Sequence, residues 1–319
     1  MRPLWKDFLL AVFLGMVLPG LVVNTVFVLT QKQPPEPVPQ SDFREQNTWT
    51  VKVRTGDSIE QMDLDKYLTR VVLAEMPASF EAEALKAQSV AARTYAQKAS
   101  VTGGKHGDGS ICTDASCCQG YITEEAYLAK GGSQEAVDKV AAAVESTSGF
   151  VLYYGAELIE ATYFSSSGGS TEAAVAVWGT EIPYLQAVAS PEGNGAEQYT
   201  QTRSFTPEEF QKALGKTLSG SPEDWITVTT YTPGGGVDSM TIGAQTYTGT
   251  QLRSLLNLRS TAFTVEASAT EICFTTRGYG HRVGLSQYGA NVMAEAGSGY
   301  EEILAHYYPG TQLIKLKAE

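Results

Sequence analysis

The sequence predicts an α+β fold in which helices and strands follow one another without regular alternation. Apolar residues recur at helical spacing in several segments, while short β-branched strands fall between them at uneven intervals. A doubly wound parallel sheet would instead require strands and helices in strict alternation. With 319 residues and a hydrophobic content of 43%, the chain has enough apolar material for a sizeable core.

The charge of the chain limits the classes of partner. The formal net charge is −12 and the pI is about 4.8. An acidic surface repels phosphate backbones, which argues against nucleic acid as a partner. It also repels anionic lipid, so attachment to a membrane would need a hydrophobic anchor. A neutral polymer such as a glycan remains compatible with this charge.

The N-terminal segment has the properties of such an anchor. The stretch Phe8–Leu29 is almost wholly apolar, and its about 22 residues would span roughly 33 Å as a helix, against about 30 Å of hydrocarbon. Arg2 and Lys6 precede it, so the positive-inside rule leaves the N-terminus in the cytoplasm. A cleaved signal peptide is the alternative, although no good small-x-small cleavage site follows. We predict that residues 1–30 form a cytoplasmic tip and a single-pass transmembrane helix.

Composition divides the remainder of the chain. Residues 31–47 are rich in proline and predict an extended linker. The segment Thr48–Arg54 alternates polar and β-branched residues and predicts the first strand. We expect a main core over 48–203, a smaller inserted α+β domain over 204–266, and a return to the main core over 267–319.

Two consecutive helices are predicted at the start of the main core. Apolar residues recur at helical spacing from Leu64 to Val72, with Asp63 as a plausible N-cap, and Pro77 ends this helix. Ser79 is the predicted N-cap of a second, alanine-rich helix from Phe80 to about Ala99. Further helices are expected over 123–146, 207–214, 251–256 and 286–296 and up to residue 308, and further strands over 151–154 and 161–164.

Glu75 is the carboxylate with the most interesting setting. It falls at the end of the first predicted helix, among apolar neighbours. An apolar environment disfavours the charged form, which raises the pKa of a carboxyl group and suits it to general acid catalysis. The alternative interpretation is a solvated glutamate at a helix end, and spacing alone does not decide between them.

Cysteine and histidine residues cluster in a glycine-rich stretch over 103–120. His106, Cys112 and Cys118 follow one another at intervals of six and could bind zinc through one nitrogen and two thiolates. A disulfide, or free thiols, would explain the same residues. Familiar signatures of serine hydrolases and zinc proteases, Gly-x-Ser-x-Gly and His-Glu-x-x-His, do not occur in the sequence.

Six strings of sequence resemble the SpoIID family. The longest, EMPASFEAEALKAQSVAARTYA over Glu75–Ala96, closely resembles the catalytic motif of that family. The others are CQGY at Cys118–Tyr121, YFSSSGGSTE at Tyr163–Glu172, IPYL at Ile182–Leu185, TGTQLRSLLNLRSTAF at Thr248–Phe263 and GYGHRVGLSQYGANVMAEAG at Gly278–Gly297. Because they occur in order over nearly all of the chain beyond the linker, the chain is identified as a member of this family.

The resemblance assigns roles to individual residues. The family's catalytic glutamate falls on Glu75, and a structural zinc, not required for the chemistry, would be held by His106, Cys112 and Cys118. Three residues depart from the common pattern: Cys117 where relatives often have histidine, Gln186 where some have lysine, and Arg282 where glycine is commoner. The expected substrate-binding residues are Arg93, Tyr163, Ser165, Tyr184, His281 and Gln287.

The resemblance also implies an activity and a place in the cell. SpoIID proteins are lytic transglycosylases of sporulation engulfment, which cut peptide-stripped glycan strands to 1,6-anhydro products. The expected partners are peptidoglycan strands, a membrane-bound sporulation amidase and engulfment membrane proteins, with the folded part of the chain on the extracytoplasmic side of the membrane. An ordinary glycosidase needs a second carboxylate about 5 to 9 Å from the first, and Glu172 is the best candidate in this sequence. Two alternatives remain, a plain hydrolase and a non-enzymatic, glycan-binding activator of a cell-wall amidase.

Overall fold

The computed structural model describes residues 49–191 and 199–316. The predicted anchor, 1–30, and the predicted linker, 31–47, lie outside the described residues. Within the described ranges, no helix is both long enough and apolar enough to cross a membrane.

The described residues form a mixed α+β structure, as the sequence predicts. The helices are α1 Leu64–Glu75, α2 Ala82–Thr102, α3 Glu124–Ala129, α4 Gln134–Ser146, α5 Ala174–Trp178, α6 Pro207–Leu214, α7 Gly249–Leu255, α8 Gln287–Glu295 and α9 Tyr300–Tyr307. The strands are β1 Thr50–Thr55, β2 Ser58–Asp63, β3 Ser110–Cys112, β4 Phe150–Tyr154, β5 Glu157–Leu158, β6 Tyr163–Phe164, β7 Gln201–Phe205, β8 Ile226–Tyr231, β9 Val237–Ile242, β10 Gln245–Thr248, β11 Phe263–Ala267, β12 Ile272–Thr276, β13 Leu285–Ser286 and β14 Gln312–Lys315.

The first strand of the prediction is confirmed as β1, and it belongs to a small sheet. β1 pairs antiparallel with β2 through a turn at Gly56, whose φ of 59° is one that glycine adopts readily. β3 adds to the other edge of β1 in parallel. β2 was not predicted, because five of its six side chains are exposed and no apolar alternation marks it.

The two consecutive helices are confirmed, with a correction at the start of the second. Asp63 caps α1 by accepting a hydrogen bond from the amide of Lys66 at 2.9 Å. The predicted N-cap Ser79 is wrong, because the amide of Phe80 bonds to the carbonyl of Pro77 and turns the chain before the helix begins. α2 starts two residues later than predicted, with Glu81 as its N-cap residue, and the side chain of Glu81 makes no capping bond.

Helix α2 is the centre of the main core. It packs against α1, α4, α8, α9 and β4. Six of its alanines are buried, and small side chains let neighbouring helices approach closely on several sides. The predicted helix over 123–146 is in fact two helices, α3 and α4, because Gly131 adopts a φ of 93° between them.

A second apolar cluster lies apart from the main core in sequence. It runs from Phe205 to Phe274 and is filled by aromatic and aliphatic side chains of α6, α7 and two three-stranded sheets, β10-β9-β8 and β11-β12-β7. Helix α6 has the predicted bounds. Strand β12 pairs with β7 and β11, although its residues fall in the segment expected to return to the main core, 267–319. The boundaries proposed for an inserted domain stay a prediction.

Candidate functional site

A cavity of about 890 Å³ opens beside the end of α1. Its wall consists of residues that are far apart in the sequence. One lining side chain comes from α7 of the second cluster. Among the lining residues are Glu75, Tyr163, Ser165, Trp178, Arg253 and His281. The structure therefore brings four residues expected from the resemblance, Glu75, Tyr163, Ser165 and His281, to one cavity.

Glu75 is the last residue of α1, and its carboxylate is held by two donors. Oε1 accepts a hydrogen bond from the amide of Gly120 at 2.6 Å, and Oε2 accepts a longer one from Nε2 of Gln287 at 3.4 Å. Burial raises the pKa of Glu75 above its ordinary value, while the bonds from Gly120 and Gln287 partly oppose that rise. The carboxyl group is fixed in orientation and takes up a proton more readily than a solvated glutamate does.

Gly120 was not singled out by the sequence, yet it shapes the site. A Cβ atom at this position would lie 2.8 Å from Oε1 of Glu75, closer than side-chain atoms approach in folded proteins. Only glycine lets the backbone amide come near enough to bond to the carboxylate. The string CQGY marked this segment as part of the resemblance, but it did not indicate the role of the glycine.

A chain of side-chain hydrogen bonds leads from the core to the cavity beside Glu75. The hydroxyl of Tyr67 donates to Oε1 of Gln119 at 3.0 Å, and Nε2 of Gln119 donates to the hydroxyl oxygen of Tyr163 at 2.8 Å. Burial raises the pKa of Tyr163 well above its ordinary value, and the negative charge of Glu75 raises it further. The phenol of Tyr163 therefore stays protonated in the cavity wall, as a hydrogen-bond donor.

His281 occupies an aromatic part of the same wall. Its ring lies 5.6 Å from the ring of Phe164 and 5.5 Å from the ring of Trp178, measured between centroids. Burial, followed by the positive charge of Arg253, lowers the pKa of His281 to about 4. The imidazole is neutral at ordinary pH, and its Nδ1 accepts the amide hydrogen of Val283 at 3.1 Å.

Three residues expected to bind substrate, Arg93, Tyr184 and Gln287, do not line the cavity. Arg93 is only 1% exposed, and its guanidinium donates to the carbonyl oxygens of Val144 and Thr147 at the end of α4 and to the carboxylate of Asp65. The expectation for Arg93 is corrected: it joins α1, α2 and α4. Tyr184 is also buried, and its hydroxyl accepts the amide hydrogen of Glu160. Gln287 acts through its bond to Glu75.

Glu172, the candidate for a second catalytic carboxylate, is buried, and among the described residues its Oε1 is held by three donors while its Oε2 has no hydrogen-bond partner. Its Oε1 accepts from Nη1 of Arg282 at 3.0 Å, from the amide of Gly236 at 2.9 Å and from the hydroxyl of Thr232 at 2.8 Å. The side chains of Glu172 and Arg282 are each 1% exposed. Glu172 does not line the cavity, so its surroundings do not favour a role as second catalytic carboxylate, and Arg282, one of the departures from the family pattern, is its buried partner.

The cysteine-bearing loop gathers four possible metal ligands. Donor atoms of His106, Cys112, Cys117 and Cys118 all lie within 4.8 Å of one another. Nε2 of His106 is 3.5 Å from Sγ of Cys118 and 3.9 Å from Sγ of Cys117, and the two sulfurs are 3.9 Å apart. Tetrahedral zinc with one nitrogen and three sulfur ligands places its donors about 3.5 to 3.8 Å apart. The four residues fit zinc.

Two features of this cluster bear on the sequence prediction and its alternatives. All three thiols are free, so the disulfide alternative is not found. Cys117, which stands where relatives often have histidine, supplies a fourth donor. Burial opposes ionisation of Cys112, but the amide of Asp114 and neighbouring His106 outweigh it and lower the pKa of Cys112 to about 7, which favours the thiolate form that binds metal.

Comparison with known proteins identifies close relatives. The family model for SpoIID, described as Stage II sporulation protein, matches residues 53–154, which include Glu75 and the cysteine loop. Stage II sporulation protein D of Bacillus subtilis (strain 168) is 40% identical over 267 residues, covering 82% of this chain and 78% of that protein. The protein of the same name from Bacillus amyloliquefaciens is 39% identical, covering 81% and 76%. The amidase enhancer of Bacillus subtilis (strain 168) is 32% identical, covering 77% of this chain but 40% of its own length.

Proposed function

The chain belongs to the SpoIID family, and from this premise we propose that it is a lytic transglycosylase that cuts peptidoglycan glycan strands in sporulation. The observation that carries the proposal is Glu75, a partly buried carboxyl group of raised pKa that is held by Gly120 and Gln287 at the wall of a large cavity. A group with these properties can deliver a proton and recover one.

In the proposed mechanism, protonated Glu75 donates its proton to the oxygen between N-acetylmuramic acid and N-acetylglucosamine. The bond from that oxygen to C1 of the muramic residue breaks, and the N-acetylglucosamine leaves with a free hydroxyl. The C6 hydroxyl oxygen of the muramic residue then bonds to C1, and its proton passes to the Glu75 carboxylate. The product is a 1,6-anhydro ring, no water is consumed, and Glu75 ends in its starting state.

The carboxylates of the cavity favour this one-carboxylate mechanism over ordinary hydrolysis. Among the lining residues that the structure describes, Glu75 and Glu160 are the two acids. Glu160 has a side chain 45% exposed, and its carboxylate is 2.9 Å from Nζ of Lys98. A solvated, ion-paired carboxylate is poorly suited to serve as nucleophile or general base. Internal attack by the C6 hydroxyl needs no such second group.

Zinc, where bound, would have a structural part. His106, Cys112, Cys117 and Cys118 would hold it, and it would cross-link the loop that leads into Gly120. The backbone amide that orients Glu75 then depends on a loop that has little core of its own. The proton transfers need only the carboxyl group, so the metal is not required for the chemistry.

We further propose a location and partners. Residues 1–30 would anchor the chain in the cell membrane with the described residues on the extracytoplasmic side, and 31–47 would be the linker. The substrate would be glycan strands from which a membrane-bound sporulation amidase has removed the peptides. The kinship with an amidase enhancer supports a working relation with such an amidase. Engulfment membrane proteins are the other proposed partners.

Mass spectrometry of products from peptide-free glycan strands tests the activity. We expect sugar products that carry no peptide and end in 1,6-anhydro-N-acetylmuramic acid. Reducing ends formed with uptake of one water would instead identify a hydrolase, and unchanged strands would contradict both enzymatic assignments.

The second candidate function is non-enzymatic activation of a cell-wall amidase. It is favoured by the 32% identity to the amidase enhancer. Release of peptides by a purified amidase, measured with this chain added in its wild-type form and as Glu75→Gln, separates the two functions. An activator would stimulate equally in both forms, whereas a transglycosylase would act on the strands only with Glu75 intact.

A further inference from the structure

Arg253 is the one lining cation of the cavity, within the part of the chain that the structure describes, whose charged group makes no hydrogen bond or ion pair. Four lining residues carry charge: Glu75, Lys105, Glu160 and Arg253. Glu75 accepts from Gly120 and Gln287, Glu160 pairs with Lys98, and Lys105 donates to the carbonyl of Cys117.

The surroundings of Arg253 fix its backbone and partly desolvate its guanidinium. The residue is half-buried on α7, next to fully buried Leu252, so its backbone is fixed by the second apolar cluster. Burial lowers the pKa of Arg253 below its ordinary value, which means that its charge has lost solvation. A guanidinium offers five N–H donors, and among the described residues those of Arg253 are unpaired and still accessible from the cavity. They are available to an anionic ligand.

The neighbours that interact electrostatically with Arg253 are His281 and Tyr279. His281, which faces it, is kept neutral by burial and by that same charge. Tyr279 lies close enough to interact with the guanidinium and is 50% exposed. The chain as a whole carries a net charge of −12, so a half-buried cation in a cavity is not explained by a generally basic surface. The geometry is that of an anion site with aromatic walls.

The chemistry of the proposed substrate supplies one anion at the right sugar. N-acetylmuramic acid carries a lactyl group on C3, which is an amide while the peptide is attached and a carboxylate once an amidase has removed it. We propose that Arg253 binds the lactyl carboxylate of a muramic residue in the cavity and thereby makes the site selective for peptide-stripped strands. The planar guanidinium matches a carboxylate through two parallel N–H bonds and has no comparable bond to an amide. This inference rests on the proposed function for the identity of the glycan.

The test uses two forms of one substrate. Peptide-free strands are compared with the same strands after their lactyl carboxylates have been converted to methylamides, which removes the charge and keeps the sugar. For the wild type, we expect kcat/KM to be about 10- to 100-fold higher on the free carboxylate, the range of a hydrogen bond to a charged group. Arg253→Gln should lower the value for free strands to that for amidated strands, and Arg253→Lys should restore part of the difference.

Controls keep the outcomes distinct. Arg277→Gln removes an exposed arginine that does not line the cavity and should keep the wild-type ratio. Thermal melting checks that each variant is folded. A wild type that cuts both substrates equally, or a folded Arg253→Gln that keeps the full ratio, would overturn the inference while leaving the transglycosylase proposal intact.

A binding measurement decides the inference even if no strand is cut. Affinity of the wild type for free and amidated strands is measured by calorimetry, and N-acetylglucosamine oligomers, which lack the lactyl group, serve as a third ligand. Preferential binding of the free carboxylate that disappears in Arg253→Gln supports the role of Arg253 and, without cleavage, counts against the enzymatic proposal alone. Competition by inorganic phosphate with no preference among the glycans would show a general anion site and contradict the lactyl assignment.

Discussion

At the scale of single residues, the site depends on how one carboxyl group is held. Glu75 combines two opposed influences: burial favours its neutral form, and the bonds from Gly120 and Gln287 favour its charged form. A group that only one influence controlled would be locked in one protonation state. The balance lets Glu75 exist in both states, as a group that gives and recovers a proton must.

The first prediction concerns the substitution Glu75→Gln. The amide keeps the shape of the side chain but cannot donate and recover a proton, so activity on peptide-free strands should fall by roughly 10² to 10⁴-fold. The fold should not suffer. A raised folded-state pKa means that the carboxyl group contributes most stability below its unfolded pKa and loses that contribution as pH rises through its folded pKa.

Glutamine has no charge to bury, so Glu75→Gln avoids the loss of stability that the ionised carboxylate causes. The variant should therefore melt no lower than the wild type at pH 7, and the two melting temperatures should converge near pH 4. For the wild-type enzyme, kcat/KM should decline as pH rises through the raised pKa of Glu75. Wild-type turnover by the folded variant would contradict the assignment.

The second prediction concerns the substitution Gly120→Ala. The added methyl group would lie 2.8 Å from Oε1 of Glu75, so it must displace the carboxylate or the loop. A misplacement of about 1 Å can reduce a rate by about 10²-fold, and we expect a loss of that order with little change in melting temperature. Gly299→Ala is a matched control, because the nearest atom to its new methyl group is 3.9 Å away. Equal activity of the two variants would show that contact with Gly120 does not orient Glu75.

At the scale of elements, local signals in the sequence predicted some features and missed others for identifiable reasons. Helix α6 has the predicted bounds because Thr206 and Glu209 form a capping box at its start and Gly215 ends it. Ser286 likewise caps α8. In contrast, β6 pairs in parallel with β13, more than a hundred residues away, and no local pattern specifies that pairing.

The candidate site likewise contains some residues that the sequence predicted and others that it missed. The resemblance placed Glu75 and Gln287 in one site, and the structure joins them across 212 residues. The fourth donor, Cys117, could not be predicted from spacing, because only the path of the irregular loop shows that both adjacent thiols, Cys117 and Cys118, face the cluster. Trp178 and Arg253 also went unrecognised, since a single aromatic or basic residue carries no signal until the fold shows that it lines a cavity.

The third prediction concerns the cysteine loop as an element. We expect elemental analysis of the reduced, purified protein to give about one zinc per chain. Cys117→Ser should weaken retention of zinc during chelator challenge and lower the melting temperature by about 5 °C or more, since a few kcal/mol shift a domain of this size by that much.

Activity should fall when zinc is lost, because the loop carries the backbone amide of Gly120 that orients Glu75. Cys273→Ser is the control, since Cys273 lies on β12, outside the cluster. A protein without zinc whose thiols are intact and whose activity is full would contradict the metal site.

At the scale of the whole molecule, the cavity exists only if the two apolar cores keep their relative positions. The acid comes from α1 of the main core, and Arg253 comes from α7 of the second cluster. Arg282 and Glu172 join these parts: the guanidinium of Arg282 bonds to the carbonyls of Ser167 and Ser170 and to that of Gly234. Their ion pair is therefore a connection between the cores.

The last prediction is that breaking this pair destabilises the whole described fold and disturbs the cavity. Arg282→Ala leaves the carboxylate of Glu172 buried without its cation, and removal of one partner from a buried pair costs about 3 to 5 kcal/mol. Lys86→Ala, which breaks the half-exposed pair with Glu83, should cost about 1 kcal/mol or less. Unfolding free energies from urea titration give both values.

The double variant Arg282→Ala with Glu172→Gln should recover part of the loss, because no buried charge then remains uncompensated. Arg282 has a φ of 67°, a conformation that glycine adopts without strain, so Arg282→Gly should be less destabilising than Arg282→Ala by about 1 kcal/mol. Hydrogen exchange should accelerate in β8 and β9 of the second cluster in the single variant, before the main core is affected. If Arg282→Ala were no more destabilising than Lys86→Ala, the ion pair would not be a stabilising connection between the two cores.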